Sequence, residues 1–352
     1  MSILFGIIIF SVIILFHEFG HFLLAKLNHV VVVEFSLGMG PRLFSFEKGG
    51  TKYSLKALPF GGSCAMLGED LDDMSEGTFG SKSVWARIAI VAAGPLFNFL
   101  LAWFLAVILV WNIGVDRPVL LDVTPDFPAQ EAGMQAGDEI ISINGKRMLL
   151  YRDVSDYVSS HQAEFAGGKT VRIVYRRDGQ KMTADIVAKA DEAGQYKLGI
   201  VGSTYYREKV RAGESFLYGA AEVRFWIRSV FMGLRMIFTG GVSLNDVSGP
   251  VGVVEVIGET YEEAKADGAF YVLINMLNIA ILLSANLGVM NLLPIPALDG
   301  GRLLLFLVEV VRGRRLDPQL EGRIHMIGLM ILLALMVVIM GNDIRRIFTG
   351  GF

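Results

Sequence analysis

Four runs of the chain stay apolar for long enough to cross a hydrocarbon core of about 30 Å, which takes roughly 20 helical residues. They are residues 2–27, about 84–113, about 269–291 and about 324–341. The second, "VWARIAIVAAGPLFNFLLAWFLAVILVW", contains Gly94-Pro95, and the third runs into "NLGVMNLLPIPALDGG". Both read as interrupted helices, whose freed backbone groups need protein or ligand partners. Between the first two runs, residues 30–68 carry β-branched and aromatic stretches separated by glycine pairs, a hairpin pattern that predicts a small sheet near the first helix. The acidic stretch "EDLDDMSEGTFGSKS" that follows reads as a solvated loop.

Residues 115–205 differ in kind. Short alternating stretches such as "VLLDVT", "DEIISING" and "TVRIVYRRDGQKMTADIVA" predict strands, with one helical segment near "RDVSDYVSSHQAEF". About 90 residues suffice for an independent domain. Beyond it, "SFLYGAAEVRFWIRSVFMGLRMIFTGG" is apolar but carries Glu222, Arg224, Arg228 and Arg235 at helical spacing, which suggests a helix in the membrane interface, with a fifth span as the alternative. The organisation expected is a membrane core at 1–114, a domain at 115–205, an amphipathic linker at 206–268 and a second membrane core at 269–352.

Composition agrees with a membrane protein: 53% of the 352 residues are hydrophobic, above the roughly 45–50% of soluble domains. With 32 basic and 35 acidic residues there is no polybasic footprint, so nucleic acid is not an expected partner. The single cysteine, Cys64, excludes an internal disulfide framework and any multi-cysteine metal site. No basic residue precedes Lys26, so the first run lacks the charged start of a cleaved signal peptide and is expected to remain as a helix. Arg42, Lys48, Lys52, Lys56 and Lys82 lie between spans one and two, with Lys26 and Arg87 at the edges, and Arg302, Arg312, Arg314, Arg315 and Arg323 lie between spans three and four. Both segments are expected on the cytoplasmic side, which sends the 115–205 domain outside. Arg345 and Arg346, after the last span, weakly oppose this orientation.

Polar groups inside a span are costly unless partnered, and "VIILFHEFGHFLLA", residues 12–25, holds three of them. His17 and His21 are four apart, so a helix presents both imidazoles on one face to one metal ion. Glu18, on the adjacent side, can take a proton from water at that ion. The bland alternative is a pair of histidines bonded across helices with Glu18 paired to a lysine. His17 lies 15 residues beyond Ser2, about 22 Å along a helix, inside the bilayer toward its cytoplasmic end.

A catalytic zinc usually takes three protein ligands and leaves one position open. His29 falls past the membrane end, His161 falls in the outer domain, and His325 reads as interfacial. Asp299, in "NLLPIPALDGGRLL", sits after a Pro-broken stretch at the matching depth and ahead of two glycines that free the backbone. Its alternative task is to cap the helix that begins at "GRLLLFLVEVV". Five histidines with one close pair are too few for a histidine-rich membrane oxidoreductase.

"HEFGH", "AAGPLFN" and "NLLPIPALDGGR", with "PAQEAGMQAGDEIISINGKRM" inserted between the last two, together resemble the site-2 protease family, closest to its bacterial regulator-of-sigma-E type. The resemblance covers nearly the whole chain. It implies a multi-pass α-helical membrane protein of about four transmembrane helices, with a membrane-associated β-hairpin sheet and one inserted extracytoplasmic PDZ-like α+β domain. It implies an intramembrane metalloprotease with one catalytic Zn2+, His17, His21 and Asp299 as ligands and Glu18 as general base. Substrates of such enzymes are transmembrane proteins, usually first trimmed by a site-1 type protease, and the chain is expected in a bacterial cell membrane. The family also lends meaning to Gly61 and Gly62 of "PFGG", part of a strand edge that holds unwound substrate, or else a simple turn. Asn98 and Asn291 are amides at membrane depth that could hold substrate backbone, donate to an oxyanion or bridge broken backbone. "SGPVGVVEVIG", from Ser248, also resembles a family segment that precedes the third span. A non-catalytic scaffold that binds partners through its PDZ-like domain is the competing class, and the complete set of base and ligands argues against it.

Overall fold

A computed structural model describes residues 2–69, 73–204, 206–241 and 249–349. Residues 70–72 of the acidic loop and Ser248, which opens "SGPVGVVEVIG", lie outside the described residues. The chain forms two compact units, Met1–Leu105 with Trp226–Phe352, and Ala106–Phe225.

The first unit begins with α1 (Ser2–Leu27), followed by β1 (Val32–Lys48), β2 (Thr51–Met66) and α2 (Val84–Ile113). The two strands are long and fold over so that β1 pairs twice. Residues Glu34 to Leu37 meet Ala65 to Gly62 on one side and Lys52 to Leu55 on the other, while Phe44 to Lys48 pair with Leu55 to Thr51. The spatial order of segments is therefore 62–66, 32–37, 51–56 and 42–48. Gly49 and Gly50 turn the hairpin, both with positive φ, as a two-residue primed turn requires. Glu34 joins three of these segments through Ser54 (2.6 Å), Arg42 (3.0 Å) and Lys56 (3.4 Å). The Ser54 bond and the two cations hold its carboxyl below the ordinary range.

The second unit contains β3 (Asp122–Val123), α3 (Pro128–Glu131), β4 (Glu139–Ile143), β5 (Lys146–Arg147), α4 (Tyr151–Ser160), α5 (Gln162–Ala166), β6 (Thr170–Arg177), β7 (Gln180–Val187), β8 (Lys189–Ala190), β9 (Tyr196–Lys197) and β10 (Ile200–Val201). An antiparallel sheet runs β5-β4-β6-β7, and β10 pairs with β3. Strand alternation turns Val171, Ile173 and Tyr175 inward from β6 and Ala184 and Ile186 from β7, onto Val154, Tyr157 and Phe165 of the helices. The unit also takes in the end of α2 and the first half of α6 (Ala212–Phe238). Glu222 and Arg224, which read as the polar face of an interfacial helix, are instead paired with the domain. Arg152 bonds Asp116 (3.0 and 3.1 Å) and Glu222, and Arg224 bonds Asp153. Asp116 and Glu222 have no exposed surface, so their charges depend on Arg152.

The rest of the first unit comprises α7 (Pro250–Asp267), α8 (Ala269–Leu292), α9 (Asp299–Arg312) and α10 (Pro318–Thr349). Among the described residues four helices are long and apolar enough to span: Ile3–Leu27, Val84–Ile113, Ala269–Leu292 and Gln319–Arg346. The third ends as expected, but α2 runs unbroken through Pro95. Side chains from neighbouring helices bond its carbonyls on either side of the proline, His21 to Ile90 (2.9 Å) and Ser284 to Asn98 (2.8 Å), which is how packed helices accommodate such residues. The "GPVG" segment gains a task here. The amides of Gly249 and Gly252 donate to the buried carboxylate of Asp343 in α10 (3.0 and 3.1 Å), and a Cβ on Gly249 would lie 2.7 Å from that carboxylate. Glycine lets the start of α7 close onto α10.

Removing one partner of a buried ion pair costs about 3–5 kcal/mol, whereas an exposed pair is worth about 0–1 kcal/mol. Arg152→Ala should therefore lower the melting temperature of the purified protein clearly. Arg172→Ala, which breaks the exposed pair with Asp185, should leave it almost unchanged.

Candidate metal centre

Helix α1 places His17 and His21 one turn apart, and their Nε2 atoms lie 3.2 Å from each other. Asp299 Oδ2 lies 3.2 Å from His17 Nε2 and 3.5 Å from His21 Nε2. A tetrahedral ion with bonds of ~2.0 Å separates its ligands by ~3.3 Å, so these three atoms form one face of such a tetrahedron. The donor chemistry agrees. Asp299 Oδ2 is buried with no hydrogen-bond donor serving it, an arrangement that a cation resolves. His21 donates Nδ1–H to the Ile90 carbonyl, which leaves Nε2 as the free lone pair facing the cluster.

The capping alternative for Asp299 does not hold in this structure. Leu298 occupies the N-cap position of α9 and no side chain caps that end, while Asp299 is the first helical residue. Its position depends on a tight return of residues 293–298. A Cβ on Gly300 would meet the Leu293 carbonyl at 2.2 Å, and one on Gly301 the Ile295 carbonyl at 2.4 Å. The two glycines therefore admit the loop against the helix; their service is close approach and not unusual φ. Ala297, at φ 75°, does take the left-handed region, and its N–H donates to His325 Nδ1 at 3.0 Å. His325, which read as interfacial, thus buttresses the loop that carries Asp299. Farther along α9, Arg87 pairs with Glu309 at 2.5 Å and stacks 4.8 Å over Phe306, and Arg302 pairs with Glu69. A cavity of about 550 Å³ opens beside Asp299, lined also by Glu69, Arg87, Arg302, Glu321 and His325.

Gly94 is the residue whose role sequence reasoning missed. A Cβ there would lie 2.2 Å from His21 Nε2 and 2.8 Å from His17 Cε1, and one on Gly20 would lie 2.4 Å from the Ala93 carbonyl. The motif "AAGP" read as a helix break, but its glycine is the floor of the histidine pair. Glu18 stands half-buried on α1, and Gly62 passes so close that a Cβ on it would meet Glu18 Cγ at 2.9 Å. Gly61, at φ 83°, bends the strand just before that contact. Asn98 is fully buried with its amide 3.1 Å from His17 Nδ1. Asn291, half-buried near the end of α8, makes no hydrogen bond to the cluster among the described residues. His29 is exposed, and His161 stacks on Tyr157 in the other unit, so neither joins the cluster.

The profile of peptidase family M50 matches residues 5–335. The chain belongs to peptidase family M50. A putative zinc metalloprotease of Clostridium acetobutylicum is 37% identical to it over 344 residues, covering 97% of both chains. The regulator of sigma-W protease RasP of Bacillus subtilis is 30% identical over 426 residues, covering 97% of this chain and 98% of its own. Among solved structures, the PDZ domain of an SdrC-like protein from Listeria monocytogenes covers 25% of this chain and 88% of its own, at 30% identity and a TM-score of 0.22. This M50 peptidase is a zinc metalloprotease of the site-2 type, as its motifs implied.

Gly94→Ala should abolish zinc retention, read as zinc per chain by elemental analysis. Gly341→Ala, where an added Cβ meets nothing within 4 Å, should retain it. Equal zinc in both variants would contradict the part assigned to Gly94.

Proposed function

We propose that this intramembrane zinc protease hydrolyses peptide bonds within transmembrane segments of membrane proteins, using one ion held by His17, His21 and Asp299. The observation that carries the reading is the tetrahedral face formed by those three donors, with Glu18 on the same helix. When bound, zinc polarises the scissile carbonyl and acidifies a water. Glu18 takes the proton from the attacking water and returns it to the nitrogen of the leaving amine, so one carboxylate serves as base and then as acid. A helix hides its own amides, so substrate must unwind before its backbone can reach the site. The segment 62–66 supports a place for it. It pairs with β1 alone among the described strands, and its first residue, Gly62, lies against Glu18. An extended substrate adding to that edge would pass the base. Asn291 is the amide free to hold its backbone.

The basic segments flanking the site support a bacterial cell membrane placement with the site toward the cytoplasm and the PDZ-like domain outside. There the domain would admit substrates already shortened by a site-1 type protease, either by excluding bulk or by binding a new peptide end. The name of the B. subtilis relative, regulator of sigma-W protease, supports a membrane-anchored regulator of a sigma factor among the substrates, with remnant signal peptides as a second class.

Glu18→Gln should lose cleavage of a model transmembrane substrate in detergent by several orders of magnitude while zinc stays bound. His17→Ala should lose the zinc itself. A Glu18→Gln protein that still cleaves would overturn the assignment of the base, and the same variant used as a trap would retain the substrates to be identified.

A further inference from the structure

We propose that Asn98 is the positioning residue for His17: its side-chain amide accepts a hydrogen bond from Nδ1–H and so fixes the tautomer whose Nε2 can bind the ion. The proposal rests on the metal reading above and adds to it a residue that touches no reacting atom.

A neutral imidazole has one proton. If Nε2 is to be a ligand, the proton sits on Nδ1 and needs an acceptor there. His21 meets this need with the Ile90 carbonyl, which can only accept. The group opposite Nδ1 of His17 is the Asn98 carboxamide, 3.1 Å away, and a carboxamide offers a donor at one end and an acceptor at the other. With Nδ2 turned toward the ring, the amide donates to Nδ1. The proton is then forced onto Nε2, where it points at Asp299 Oδ2. In that orientation Asn98 Oδ1 is also buried without any donor. A half-turn of the amide places Oδ1 where it accepts from Nδ1–H and leaves Nε2 free for the ion, with Nδ2 taking the place Oδ1 held. The two ends of an amide are told apart only by such networks.

Asn98 is also well anchored for this task. It has no exposed surface, and its backbone carbonyl accepts from the equally buried Ser284 hydroxyl at 2.8 Å. The contact ties α2 to α8 at the level of His17. The position therefore faces the ligand, and the proposal assigns it to His17 in place of the oxyanion role that an amide at this depth suggested.

The test uses the full-length protein in detergent and measures zinc affinity by chelator competition, together with the visible spectrum of the Co2+-substituted form. Asn98→Asp, which can only accept, should keep wild-type affinity or exceed it. Asn98→Leu, similar in size and unable to accept, should weaken binding about 10- to 100-fold, the usual consequence of losing an outer-shell partner, and should shift the Co2+ spectrum. Equal loss in both variants would show that packing and not acceptance matters, and would overturn the proposal. So would wild-type affinity in Asn98→Leu with turnover lost, the signature of an oxyanion donor. Should a variant fail to fold, 15N-histidine labelling of the zinc-loaded wild type supplies a second reading. It should show His17 protonated at Nδ1 in a protected hydrogen bond; protonation at Nε2 would overturn the assignment. Zinc binding indifferent to His17→Ala would instead remove the metal reading itself, so the two failures are distinguishable.

Discussion

The contact on which the site depends is the close approach of α1 and α2 at Gly20 and Gly94. Small residues at a crossing let helix backbones come together inside a membrane, where packing and interhelical hydrogen bonds replace the hydrophobic drive. Here that approach does chemical work, because the space a Cβ of Gly94 would occupy is filled by the imidazoles of His17 and His21. It also brings the Ile90 carbonyl within reach of His21 and the Asn98 amide within reach of His17. Both ring nitrogens pointing away from the cluster thus meet α2, and the two pointing into it face Asp299.

The third residue of the candidate metal cluster comes from the far side of the sequence and is placed differently. Asp299 begins a short helix whose first turn is pressed against its own preceding loop at Gly300 and Gly301. That loop is braced by His325 from α10, and α9 is braced by the buried Arg87–Glu309 pair. A carboxylate on a loop would scatter over more than the few tenths of an ångström a tetrahedral ion tolerates. Bracing from α2 and α10 gives it the precision of a residue on a packed helix.

The histidine pair was legible because four-residue spacing on a helix has one geometric meaning, and because such residues are rare in apolar spans. The spans were legible by length, whereas the Asn144-Gly145 and Asp178-Gly179 turns, inside stretches that read only as strands, show themselves in the structure by positive φ at all four residues. What could not be read were facts of contact. Gly94-Pro95 looks like a break in any single chain, since the carbonyl bonds that keep α2 continuous come from α1 and α8. Likewise Asp299 as cap and Asp299 as ligand have the same local sequence, and only its distance from two histidines some 280 residues away separates them. Glu222 and Arg224 have the spacing of an interfacial face, and their partners Arg152 and Asp153 lie about 70 residues upstream.

The measurement that tests the account most directly is X-ray absorption at the zinc K-edge of the purified, substrate-free protein. One zinc per chain is expected, with about four light-atom neighbours at ~2.0–2.1 Å, a multiple-scattering signature of two imidazoles, and no sulfur. Asp299→Ala should lower the zinc content per chain, as His17→Ala should. A shell containing sulfur, one or three imidazoles, or full zinc content in Asp299→Ala would contradict it.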